Sequence, residues 1–167
     1  MDATSTNIEP YEVARFLING HFRFRSLPEA MALAEFLAKA CPNPPVHSVG
    51  ISEILVNAIE HGNLGITSEE KLQLQKENRW LSEIERRLQL TEHCNQYVNV
   101  EVTQSTSEIR LHVQDDGKGF NWKAFKKTHA NNESTQGRGI LMAERLAFKS
   151  LEYSEKGNAV ICIISLH

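Results

Sequence analysis

The chain has 167 residues, the size of one domain able to bury a single two-layer core. Hydrophobic residues make up 41% and charged residues 23%, as in ordinary soluble globular proteins, which excludes a disordered or fibrous class. A net charge of -3 with a pI near 6.2 argues against a general nucleic-acid binder, which carries a basic excess.

The predicted organisation is a single domain over residues 1–167, with a polar tail of about seven residues, "MDATSTN", that lacks a signal peptide's basic and apolar regions. No apolar run approaches the roughly 20 residues that cross a bilayer, so no membrane partner and a cytoplasmic location are expected. Cys41, Cys94 and Cys162 are scattered and odd in number, which fits reduced thiols better than a disulfide framework or a C-x-x-C metal site.

In chain order, "HFRFRS" alternates apolar and basic residues, as a half-buried strand does. A helix follows, with Ser26 and Glu29 at capping-box spacing, Pro28 in the first turn, and Leu27, Ala30, Met31, Ala34, Leu37 and Ala38 repeating with helical period. Cys41-Pro42 stops it. A second helix is predicted from about Val46 to Gly62. Thr67 to His93 is a charged helical segment, one long helix or two short ones, with Trp80, Leu81, Ile84 and Leu88 recurring helically. Such a segment is ordinarily a solvated face; the other reading of its apolar stripe is a partner or dimer surface. "YVNVEV" and "EIRLHV" then alternate with period two around a short turn, predicting a hairpin. A polar stretch from Asn121 to Gln136 precedes a helix beginning at "GRGI", and "SLEYSEKGNAVICIISLH" reads as two strands around Lys156-Gly157. Helices first and strands later point to an α+β two-layer sandwich, a mostly antiparallel (mixed) sheet with helices on one face.

In the second helix, Glu53, Asn57 and His61 fall about 40° apart from one to the next, on the border of the face made by Ile51, Ile54, Leu55, Ala58 and Ile59. Val56 and Glu60 take the far side. Alone, the stripe fits the flank of any amphipathic helix, and Glu53 and His61, two turns apart, are badly spaced for one zinc ion. In "VQDDGKGF" a strand ends at Asp115, whose acceptor-only carboxylate can take a hydrogen bond from an exocyclic amine while Gly117 and Gly119 let the backbone close on a flat ring; a simple Asp-Asp-Gly turn is the plainer alternative. "TQGRGI" leaves free N–H groups at a helix start, where an anion is favoured, or is an ordinary loop. Between the two glycine motifs, Lys123, Lys126, Lys127 and Arg138 outweigh Glu133, a composition suited to a lid over a polyphosphate.

The succession E-x-x-x-N-A-x-x-H-G, D-x-G-x-G-F and G-R-G-I, with a closing strand, resembles the Bergerat ATP-binding fold of gyrase and histidine kinases, and within it the anti-sigma-factor serine/threonine kinases of partner-switching systems. The resemblance runs from about Phe22 to the C-terminus. It implies ATP and Mg²⁺ as cofactors, Asn57 as the Mg²⁺ ligand and Glu53 as general base on the attacking hydroxyl. It also implies Asp115 on the adenine amine with Gly117 and Gly119 around the base, and Gly137, Arg138 and Gly139 on the phosphates with Lys126 and Lys127 in the lid. His61 would end the helix against the phosphates, or be a structural histidine bonded to a loop carbonyl. Where many relatives carry Gly-Thr this chain has Gly157-Asn158, and Asn158 would make the polar contact there.

The implied activity is phosphorylation of a small anti-sigma-factor antagonist. The implied partners are that antagonist and a sigma factor, with a second copy of the chain or a response-regulator receiver as further ones, and no nucleic acid. The insertion at residues 67–93 resembles one seen beside receivers. A nucleotide-gated binding module without phosphotransfer is the alternative. A histidine-kinase catalytic domain fits less well, because no helical hairpin with a phosphoacceptor histidine is in the sequence.

Overall fold

The computed structural model describes residues 16, 18–119, 121 and 145–167. Its five strands form one sheet in the order β1 (Asn19–Phe24), β2 (Val98–Gln104), β3 (Glu108–Asp115), β5 (Ala159–Ser165) and β4 (Ser150–Tyr153). Every pair of neighbours is antiparallel, so the described strands contain none of the parallel pairing that a mixed sheet would show.

Both predicted hairpins form. β2 and β3 are joined through Ser105, whose hydroxyl accepts the Ser107 and Glu108 N–H groups at 3.3 and 3.1 Å. In β4 and β5 the turn runs through Gly157. Period-two alternation sends Val98, Val100 and Val102, then Ile109, Leu111 and Val113, then Val160, Cys162 and Ile164 to the same buried face.

Helices α1 (Leu27–Ala38) and α2 (Pro44–Asn57) cover that face. The α1 cap is the predicted reciprocal pair: Ser26 Oγ accepts the Glu29 N–H at 3.5 Å and Glu29 Oε2 accepts the Ser26 N–H at 3.0 Å. Its buried stripe differs by one member from the predicted one, with Leu33 inside and Met31 45% exposed, because the sheet takes the face centred on Ala30 and Ala34.

Two departures from the sequence expectation matter for the site. The second helix does not run as an α-helix to Gly62; after Asn57 it widens into a π-helical turn, Ala58–Asn63, in which the Leu64 N–H reaches back to the Ile59 carbonyl at 2.9 Å. The even spacing of Glu53, Asn57 and His61 therefore ends at Asn57. Glu60, expected on the far side, is wholly buried. What covers it is the insertion, which forms two helices, α3 (Ser68–Lys76) and α4 (Trp80–Leu88), separated at Asn78, whose φ of 55° only a residue tolerant of the left-handed region adopts cheaply.

α4 contributes Ile84 to the core at 1% exposure, Trp80 and Leu88 pack against that core, and Leu81 alone of the four is exposed. The stripe read as a partner surface is thus mainly internal. Arg87 ties α4 down: its Nη1 donates to the Leu64 carbonyl at 3.0 Å, and its other nitrogens pair with Glu70 and Glu83.

Candidate functional site

The end of α2, the π-helical turn, the start of α3, the end of β3 and the β4–β5 hairpin enclose a cleft of about 660 Å³. That volume is typical of a small-molecule or cofactor site. Asn57, His61, Asp115, Gly117 and Gly119 all line it.

Asp115 is the last residue of β3 and is 7% exposed. Its Oδ1 accepts the Gly117 N–H at 2.8 Å. A Cβ on Gly62 would lie 2.4 Å from the Asp115 carboxyl carbon, and one on Gly117 would lie 2.1 Å from the Gly62 carbonyl oxygen, so carboxylate, π-helical turn and glycine loop interlock in a way that only glycine permits. Burial pushes the Asp115 carboxyl up to about 6, with the Gly117 N–H opposing and the neighbouring Asp116 adding to the rise. It is still mainly ionised at neutral pH.

The loop is pinned from two further directions. The Asn63 side chain, buried in the π-helical turn, accepts the Asp116 N–H at 2.8 Å, and Lys156 Nζ donates to the Gly117 carbonyl at 3.4 Å. Asn158 does not line the cleft. Instead it supports the rear of the site, receiving the Asp115 N–H on its carbonyl at 3.0 Å and donating its carboxamide to the Asp115 carbonyl at 3.4 Å.

Asn57 closes α2 with its carboxamide on the cleft wall and no role in capping. Its oxygen is a hard, neutral donor. Among the described residues no three His, Cys, Asp or Glu side chains gather around a possible metal position. A single carboxamide oxygen suits Mg²⁺, which takes one or two protein ligands and completes its octahedron with phosphate and water oxygens, and does not suit zinc.

His61 lines the cleft, and its Nδ1 lies 2.5 Å from the Ile66 carbonyl oxygen. A carbonyl only accepts, so Nδ1 carries the proton. Glu53 is half-buried one turn before Asn57, and burial chiefly raises its carboxyl above the ordinary value, with Lys71 opposing and Glu60 reinforcing. It stands outside the set of residues that line the cleft. Lys123, Lys126, Lys127, Gly137, Arg138 and Gly139, expected over the phosphates, lie outside the described residues.

Several lining residues are not foreseeable from the motifs. Thr67, Ser68 and Glu69 come from the start of α3, and His93 and Gln96, bonded to each other at 2.7 Å, from the segment after α4. The Thr67–Glu70 capping spacing locates that helix start in the sequence but carries no information about which way it faces. Lys118 sits inside the recognised glycine motif and could have been read there as a cation on the cleft.

A family model described as the histidine kinase-like ATPase domain matches residues 34–164. No curated protein matches the chain at a significant level.

Proposed function

The chain belongs to the histidine kinase-like ATPase domain family, and on that premise we propose that it is a Mg-ATP-dependent regulatory kinase that phosphorylates a serine or threonine of a small anti-sigma-factor antagonist. The observation that carries the nucleotide half is the juxtaposition, across one cleft, of Asp115 in its glycine clasp and the open Asn57 carboxamide. The ionised carboxylate accepts from the exocyclic amine of adenine, a charge-assisted bond contributing about 1.5–3 kcal/mol. Asn57 would hold Mg²⁺ together with phosphate oxygens, the ion supplying charge neutralisation between them.

In the transfer, the partner's hydroxyl oxygen forms a bond to the γ-phosphorus as the bond from that phosphorus to the β–γ bridging oxygen breaks, and ADP leaves with the electron pair. Glu53 takes the hydroxyl proton. A carboxyl whose affinity for protons is raised by burial is better suited to that role than an ordinary surface glutamate. The anti-sigma assignment rests on the E-x-x-x-N-A-x-x-H-G, D-x-G-x-G-F and G-R-G-I motifs.

One observation favours a second reading, a nucleotide-gated docking module without transfer: Glu53 does not line the cleft. Incubation with γ-labelled ATP and the cognate antagonist separates the two. Acid-stable label on a serine or threonine, lost in Glu53→Gln, is the result expected of the kinase. Tight nucleotide binding with no label on the partner sinks the transfer step, and acid-labile label assigns the chain to histidine phosphorylation instead.

A further inference from the structure

Glu60 takes no proton in the reaction described above and reaches it only by adding to the rise of the Glu53 carboxyl, yet it is 0% exposed in the π-helical turn between Asn57 and the glycine clasp. One carboxylate oxygen accepts from Lys71 Nζ on α3 at 2.7 Å, the other from the Trp80 indole N–H on α4 at 2.5 Å. The Lys71 ammonium also lies 5.7 Å from the centre of the Trp80 ring. Burying a carboxylate costs far more than an apolar residue of the same size unless its partners are held in place, so a structural purpose alone would be met more simply by a leucine.

The connections continue toward the cleft. The Glu60 carbonyl accepts the Ile66 N–H at 2.9 Å, and the Ile66 carbonyl receives His61 Nδ1. His61 Nε2 lies 3.9 Å from the same Glu60 oxygen that Lys71 neutralises. We infer that Glu60 is a positioning residue: through Lys71 and Trp80 it fastens the two-helix insertion to the π-helical turn, and so sets the orientation and tautomer of His61 on the wall of the cleft. The effect on ligand affinity rests on the nucleotide-binding reading; the effect on His61 does not.

Two measurements on the full chain keep these apart: the imidazole ¹⁵N shifts of His61 without ligand, and calorimetric titration with Mg-ATP. Lys71→Met removes the counter-charge, Trp80→Phe removes one N–H while keeping the ring packed, and Lys71→Arg preserves the pair. The Nδ1-protonated signature of His61 is expected in the wild type and Lys71→Arg, and is lost or averaged in Lys71→Met and Trp80→Phe. In the latter two the Kd for Mg-ATP rises about tenfold, equivalent to about 1.4 kcal/mol. Should Lys71→Met fail to fold, Trp80→Phe tests the same link. Unchanged His61 shifts in a folded Trp80→Phe overturn the inference. A wild type that binds no adenine nucleotide while its His61 shifts still respond to the substitutions upholds the positioning role and discards the nucleotide reading.

Discussion

At Asp115, stability and the proposed recognition of adenine pull in opposite directions. Its carboxyl is raised from 3.8 to about 6 by burial, so between those two pH values the folded protein holds a proton there that the unfolded chain has already released. The stabilising contribution of the protonated group is therefore complete below pH 3.8 and lost as pH rises through about 6, a change on the order of 2–3 kcal/mol. Asp115→Asn should accordingly leave thermal stability at pH 7.5 unchanged or higher, while flattening its decline between pH 4 and 7. The same variant should weaken adenine-nucleotide binding by roughly 10- to 100-fold, since the ionised acceptor is gone. In the wild type, affinity measured by calorimetry should fall as pH drops below about 6. Gly62→Ala makes the complementary test, because its methyl group would displace the Asp115 carboxylate; a destabilisation of about 1–3 kcal/mol together with lost nucleotide binding is expected. In the sequence, Asp115, Gly117 and Gly119 can be named from the motif, but the reason for Gly62 cannot, because the carboxylate it makes room for lies far along the chain.

The elements divide by how local their causes are. α1, with its capping box and Pro28, and the two hairpins, with clean alternation, are set by neighbours in sequence and follow from it in nearly their observed form. The π-helical turn is set by contacts from Asp115, Ile66 and the insertion, so helical periodicity extends the helix past Asn57 where the structure widens it. Periodicity misplaces Glu60 for the same reason: its partners Lys71 and Trp80 arrive from a segment whose charge content reads as a solvated face. That segment behaves as core at α4. Ile84→Ala should cost about 2–5 kcal/mol and lower the single unfolding transition of the whole domain, as followed by far-UV circular dichroism. A small early transition with the main one unmoved would mean that the insertion folds apart from the sheet.

For the molecule as a whole, five antiparallel strands give a rigid floor, two helices bury it, and the cleft opens where α2 widens beside the end of β3. The layered architecture is legible in the sequence because binary patterning alone determines it; the cleft is legible only through motif order, since its walls come from segments distant in sequence. Ligand binding to the folded state should raise stability by about 2.7 kcal/mol at a hundredfold excess over Kd, a rise in melting temperature of roughly 5–10 °C with Mg-ATP. Calorimetric titration of Mg-ATP into wild type, Asp115→Asn and Asn57→Ala tests most directly the proposal that Asp115 and Asn57 together form an adenine-nucleotide site. Micromolar binding by the wild type, about −8 kcal/mol, that weakens at least tenfold in Asp115→Asn and loses its Mg²⁺ dependence in Asn57→Ala is the predicted result. Wild-type protein that takes up no nucleotide with Mg²⁺ present, or an Asp115→Asn variant that binds equally well, would contradict it.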